Sequence, residues 1–204
     1  MIKEAYQIMT NFFFISFLIF LLTTPIHCEI TNARDLIKKE GLFYNKTTKK
    51  LFSGSVEFQY DNGKLRAKGS FKKGKEEGYW EDYNEDGTPF SKGNYVKGNP
   101  HGSFKFYHEN GIIEEEGNFI FGIKEGNWNT YWDNGNLKRQ GIWENGKATG
   151  LFKFFNINGK IIKFEVWKNG KMVKRIFVRN MKNILFKIIW YEFNENILFV
   201  RKKL

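Results

Sequence analysis

Residues 126–147 read GNWNTYWDNGNLKRQGIWENGK, and this arrangement of glycines and rings recurs every 24 residues. Numbered from its first glycine, the unit carries rings at positions 3, 6 and 18, Asn-Gly or Asp-Gly at positions 9 and 10, and glycine at position 16. A fixed period of this size indicates a repeat array. The first glycines are Gly54, Gly78, Gly102, Gly126 and Gly150.

The Asn-Gly and Asp-Gly pairs predict one hairpin in each unit, because both dipeptides accept the positive φ of a tight turn. In the first unit the predicted strands cover residues 56–60 and 65–71, and a second turn covers 72–78. Two short strands are unstable alone in water, so neighbouring units must continue the sheet. We therefore predict an all-β fold, an elongated single-layer antiparallel meander or solenoid of hairpins. The turn glycines are Gly63, Gly87, Gly111, Gly135 and Gly159.

The rings at positions 3 and 18 are interpreted as the packing face of this sheet. The glycine at position 16 lies inside a strand, where glycine often marks a bulge or a close approach. We infer that it clears room for a neighbouring ring. The last unit has Glu165 at this position. The rings taken as defining the repeat are Trp80, Tyr83, Trp128, Tyr131 and Trp143.

The period divides the chain into segments. The five repeats are predicted over 54–77, 78–101, 102–125, 126–149 and 150–173, behind a linker and N-terminal capping unit at 29–53. Residues 174–204 hold eight Lys/Arg against two Glu and are predicted as a basic capping hairpin or tail. Within them, residues 188–193 and 197–200 suit a final hairpin.

The N-terminus is predicted to be a signal peptide over residues 1–28. The apolar run at 12–22 is short for a membrane span but suits the hydrophobic region of a secretory signal. We expect an exported protein, with an uncleaved anchor or a cytoplasmic location as alternatives. Cys28 is the only cysteine, so no disulfide forms within residues 29–204.

The segments GYWEDY (78–83), GNWNTYWDNGNL (126–137) and GIWENGK (141–147) resemble the MORN repeat. They look most like the bacterial MORN-variant repeat of proteins described as YwqK-type antitoxins, over residues 41–173. The resemblance implies an elongated sheet of hairpins that binds or scaffolds and does not catalyse. MORN arrays have been linked to membrane recognition and to protein partners.

Motifs that suggest chemistry are weak. Residues 141–147 have the spacing of a phosphate-binding loop, but Ala148 replaces the Ser/Thr that would hold Mg²⁺. Asp82 to Gly87 matches half of a calcium loop, and a turn is the favoured interpretation. His101 and His108 are interpreted as exposed and unengaged. No enzyme activity, metal or cofactor is predicted.

We expect a non-enzymatic interaction or scaffold protein in the cell envelope or outside the cell. The expected partner is a protein; an anionic membrane surface is the alternative, followed by an antitoxin or immunity role. Nucleic acid is not expected, and the oligomeric state is left open. The residues offered as an interaction surface are Tyr60, His108, Trp132, Lys174 and Arg175.

Overall fold

Each repeat forms one hairpin of a long sheet in the computed structural model, which describes residues 31–178. These belong to the second of the chain's two compact units, Thr31–Leu204. The predicted signal peptide, Cys28 and the predicted hairpin at 188–200 lie outside the described residues.

Within residues 31–178, twelve strands form the main sheet and two form a separate hairpin. The two-stranded sheet pairs β2 (Leu36–Lys39) with β3 (Leu42–Asn45), and a single 3-10 turn, Ala33–Asp35, precedes it. The twelve strands are β1 (Thr31–Asn32), β4 (Gly54–Gln59), β5 (Leu65–Lys72), β6 (Lys75–Tyr83), β7 (Pro89–Val96), β8 (Asn99–Tyr107), β9 (Ile113–Ile120), β10 (Ile123–Tyr131), β11 (Leu137–Glu144), β12 (Lys147–Phe155), β13 (Ile161–Lys168) and β14 (Lys171–Phe177).

Strands β4 to β14 pair antiparallel in chain order, and β1 joins β4 in parallel. This confirms the predicted all-β sheet of consecutive hairpins. Within residues 31–178 no helix is long and apolar enough to cross a membrane.

The two turns of each repeat differ in kind. In the first repeat, the Gly63 N–H donates to the Tyr60 carbonyl at 2.9 Å, and Gly63 alone takes a positive φ there. This is a three-residue loop ending in a bulge-forming glycine. At the other end Lys73 and Gly74 have φ of 51° and 75°, as a two-residue mirror-image turn requires.

The predicted second turn over 72–78 is therefore wrong. Two residues suffice to reverse the chain, and Lys75 already belongs to β6. The same two-residue turn recurs at positions 20 and 21 of every repeat, at Lys97-Gly98, Phe121-Gly122, Asn145-Gly146 and Asn169-Gly170.

The position-3 side chains are buried and lie on one side of the sheet, which we call the ring face. At its N-terminal end Leu36 and Phe52 are buried against Val56 and Phe71. The Phe43 N–H donates to the Gly74 carbonyl at 2.9 Å, and the Gly74 N–H donates to Phe52 at 2.7 Å. The N-terminal segment thus covers the first repeat.

Candidate interaction surface

The floor of the ring face, meaning the row of buried position-3 side chains, is connected by successive aromatic contacts. Phe71 meets Trp80 with ring centroids 5.0 Å apart, and Trp80 meets Tyr95 at 6.3 Å. Contacts continue to Trp128 and are found again from Trp143 to Trp167. Edge-on pairs of this kind stabilise by about 0.5–1.5 kcal/mol beyond their buried area. The position-3 floor residues, all at most 5% exposed, are Val56, Trp80, Phe104, Trp128 and Phe152.

Glycine at position 16 lets each ring lie flat on the preceding repeat. A Cβ on Gly69 would stand 2.2 Å from the Trp80 ring, and one on Gly117 would stand 2.3 Å from Trp128. Gly93 and Gly141 meet the next ring in the same way. The inference that these glycines clear room for a ring is confirmed.

Above the floor the ring face opens into a depression of about 710 Å³. Its walls include Phe58, Phe90 and Phe106, and the Phe90 side chain is 52% exposed. Asp82 accepts a hydrogen bond from the Ser91 hydroxyl at 2.9 Å, and burial raises the pKa of Asp82. The depression therefore combines exposed aromatic surface with a half-buried carboxyl group.

A second hollow, of about 390 Å³, shares Phe90 and Phe106 with the first. Here the Lys124 Nζ lies 2.7 Å from Glu115 and 3.8 Å from the Trp128 ring centroid. Arg139 reaches the same carboxylate at 3.3 Å. The cation over Trp128 is a cation–π contact, favourable because the ring face is electron-rich.

The opposite face of the sheet is polar. Lys68 pairs with Glu81 at 3.0 Å and Lys105 with Glu116 at 3.6 Å, between neighbouring strands. Tyr131 donates to Glu116 at 2.6 Å; burial, together with this bond, raises the pKa of Tyr131 to about 12. Tyr131, at position 6 of its repeat, thus contributes a hydrogen bond to this polar face.

Three residues expected at an interaction surface instead join neighbouring repeats. The Tyr60 hydroxyl donates to the Tyr83 carbonyl at 2.7 Å, and the Trp132 indole N–H donates to Phe155 at 3.2 Å. His108 Nε2 lies 3.0 Å from the Tyr131 carbonyl. Tyr60 and Trp132 are both half-buried. As partner-binding residues they stay a prediction.

These three bridges share one spacing along the chain. Each joins position 7 of one repeat to position 6 of the next, 23 residues away. The residue type at position 7 varies, so the sequence pattern does not indicate a common role.

The other two expected surface residues lie on β14. Arg175 donates to Glu165 at 2.8 Å, and Lys163 lies 3.0 Å from the same carboxylate. Lys174 pairs in register with Val166 and is exposed. The structure therefore does not gather the five predicted residues into one surface.

The histidine interpretation is also wrong. His108 is engaged as described, and His101 packs on the Phe121 ring with centroids 4.8 Å apart. Its Nδ1 is buried without a hydrogen-bond partner. In the described part of the chain, His, Cys, Asp and Glu form no group suited to a metal ion.

The half calcium loop interpreted as a turn is a turn. The Asp86 carboxylate accepts from the Thr88 N–H at 2.8 Å, which closes the loop from within. The glycines at 141 and 146 lie on strand β11 and in a two-residue turn. That placement follows from the repeat.

A family described as "MORN repeat variant" matches four consecutive stretches of the chain, residues 53–73, 76–97, 100–120 and 124–147. The predicted fifth repeat lies beyond these matches. No curated protein matches the chain.

Solved structures give distant likenesses. A mutant of S. aureus TarM, in complex with Fondaparinux, alpha-GlcNAc-glycerol and UDP, is 16% identical with a TM-score of 0.34 over 59% of this chain. A second TarM structure has 16% identity and a TM-score of 0.33 over 59% of this chain. A structure of accessory secretory proteins 1, 2 and 3 of Streptococcus pneumoniae has 14% identity and a TM-score of 0.19 over 72% of this chain. This chain covers 21% of the length of each matched chain.

Proposed function

Residues 53–147 belong to the MORN-variant repeat family, whose members are generally non-enzymatic, and on that premise we propose that this chain is a protein-binding module. The proposal places the partner on the ring face, over the 710 Å³ depression. We further propose that the protein is exported and meets its partner in the cell envelope or outside the cell.

The observation that carries the proposal is the exposure of Phe90. A phenylalanine that is 52% exposed beside Phe58 and Phe106 places apolar surface in water. Contiguous apolar patches rimmed by polar groups are typical of interaction sites. Buried aromatic anchors commonly supply much of the binding free energy of an interface.

Site-specific photo-crosslinking tests this. A benzoylphenylalanine placed at Phe90, in the full chain expressed in its native cells, should give a discrete cross-linked protein. The same group at Ile157, which is 47% exposed but not part of the depression, is the matched control. Equal labelling at both positions, or none at Phe90, would contradict the proposal.

Export is supported by the apolar run at 12–22. Cell fractionation with an antibody to the chain should find it in the envelope or medium. Recovery in the cytoplasm alone would remove this part of the proposal while leaving the binding surface standing.

A second candidate function is binding to an anionic membrane surface. The two-residue turn of the third repeat has Phe121 where the other repeats have Lys or Asn. Phe121 and the flanking strand residues Ile120 and Ile123 are 54%, 50% and 48% exposed. The net charge of +11 favours binding to anionic lipid.

Phosphatidylglycerol vesicles should pellet the chain at low salt, and Phe121→Asn should reduce the pelleted fraction severalfold. Pelleting unchanged by both salt and this substitution would exclude it.

A further inference from the structure

Side-chain hydrogen bonds join the Asn-Gly ends of consecutive repeats. At position 9, Asn62 donates to the Glu85 carbonyl at 3.2 Å, Asn110 to Asp133 at 2.7 Å, and Asn134 to Ile157 at 3.0 Å. The position-7 bridges from Tyr60, His108 and Trp132 run beside them. Three junctions between repeats therefore have two bridges each.

The junction between the second and third repeats lacks both bridges. Asn84 directs its amide to the Thr88 hydroxyl at 3.0 Å. Asp86, which replaces the asparagine, is a carboxylate and accepts from Thr88. Among residues 31–178 no side chain donates to the carbonyls of Tyr107 and Glu109, which occupy the two acceptor positions of this junction.

Other irregularities of the array meet at the same place. Pro89 stands where other repeats have leucine or isoleucine, and it has no N–H to donate. Next to it Phe90 is exposed, and both Asn84 and Phe90 line the 710 Å³ depression. Asp82 supplies a carboxyl group to the same depression. The gap in the bridges thus lies beside apolar surface and two carboxyl groups, those of Asp82 and Asp86. Two cations of the chain are also close: Arg66 lines the same depression, and the Lys64 Nζ donates to the Asp86 carbonyl at 2.8 Å.

We propose that this junction is the docking point for an arginine side chain of a protein partner, whose guanidinium donates to the Tyr107 and Glu109 carbonyls beside Asp86. The inference rests on the proposed function and names the partner's chemistry. Arginine is preferred to lysine because its planar fork carries five N–H donors and also stacks on aromatic rings, here Phe90. At the other junctions the protein's own O–H and N–H groups make the corresponding contacts.

Fluorescence anisotropy with a labelled Gly-Leu-Arg-Leu-Gly peptide and the full chain tests the inference. The peptide should bind at least tenfold more tightly than its citrulline counterpart, which keeps the shape but not the charge. A variant with Asn84→His and Asp86→Asn copies His108 and Asn110 and so supplies the missing donors. It should bind the arginine peptide at least tenfold more weakly and melt at a higher temperature than the natural chain.

Asp133→Asn is the matched control, because it removes one exposed carboxylate from the same edge of the sheet without adding a bridge at this junction. Peptide affinity should stay within twofold. If the double variant fails to fold, the single variant Asp86→Asn tests the inference. It should fold, because asparagine occupies this position in the other repeats. Equal binding of arginine and citrulline peptides, affinity unchanged by filling the junction, or no binding at 1 mM would overturn the inference. Cross-linking at Phe90 would still report the proposed function independently.

Discussion

At position 16, glycine determines how closely two repeats can approach. Gly69, Gly93, Gly117 and Gly141 show no positive φ, so their backbone would accept another residue. The following ring is what excludes a side chain. This separates them from glycines such as Gly102, where φ is +83° and nothing lies within 4 Å of an added Cβ.

Gly117→Ala should destabilise the array by about 1–3 kcal/mol, the usual cost of overpacking, because its Cβ would meet the Trp128 ring. Urea denaturation measures the loss. In the Trp128→Ala background the same substitution should cost much less, since the ring it meets is gone. Gly102→Ala should cost about 1–2 kcal/mol in either background, from backbone strain alone. Equal costs for Gly117→Ala in both backgrounds would refute the ring contact.

Glu165 replaces the position-16 glycine in the last repeat and gives the array an acid dependence. Burial alone would raise the pKa of this carboxyl, but hydrogen bonds from Lys163 and Arg175, with their charges, outweigh it and hold the pKa below its ordinary value. A carboxyl whose pKa falls on folding stabilises the protein above the ordinary value of 4.5, and this contribution is lost as pH falls through the folded pKa.

Glu165→Gln should therefore cost about 1.5–3 kcal/mol at pH 7, where charged hydrogen bonds are lost, and progressively less as the pH falls below 4.5. Thermal melting from pH 3 to 7 checks this, with Glu144→Gln as the control for an exposed carboxylate. A cost that does not change with pH would mean that the charge of Glu165 contributes nothing.

At the scale of the hairpin, the sequence predicts one of the two turns of each repeat better than the other. The Asn-Gly ends were predictable because asparagine and glycine are common turn residues. The bounds of the opposite turn are predicted too wide, because in a dipeptide such as Lys73-Gly74 only the glycine is a strong turn signal. The bridges from Tyr60, His108 and Trp132 were not predictable either, because position 7 preserves hydrogen-bonding capacity but not residue type.

Phe121 is the least suitable residue among these turns, since its φ is 47° and a bulky side chain is strained there. Asparagine occupies the same position at Asn145 and Asn169. Phe121→Asn should raise the free energy of unfolding by about 1 kcal/mol because it relieves this strain. Loss of the ring contact with His101 would reduce that gain. The melting temperature measures this, and Asn145→Phe should produce the reverse change. A stable Asn145→Phe variant would show that the turn tolerates a ring without strain.

For the molecule as a whole, the 24-residue period determines both the fold and its tolerance to deletion. Consecutive repeats contact mainly their neighbours, so stability is close to a sum over repeats and junctions. Side chains alternate between the two faces of a strand, so a shift of one residue moves every ring to the opposite face. The fold therefore requires the 24-residue period, but it does not require a particular number of repeats.

Deleting residues 102–125 joins His101 to Gly126 and sets Trp128 over Gly93, where Phe104 lies in the natural chain. This variant should fold with strand content per residue unchanged and with a lower urea midpoint, because one repeat and one junction are gone. Deleting residues 102–124 removes one residue fewer but shifts the register, so the rings that follow should face the polar side and cooperative unfolding should disappear. Far-UV circular dichroism and urea titration of the two variants distinguish them. If both fold equally well, the continuous ring face does not hold the array together.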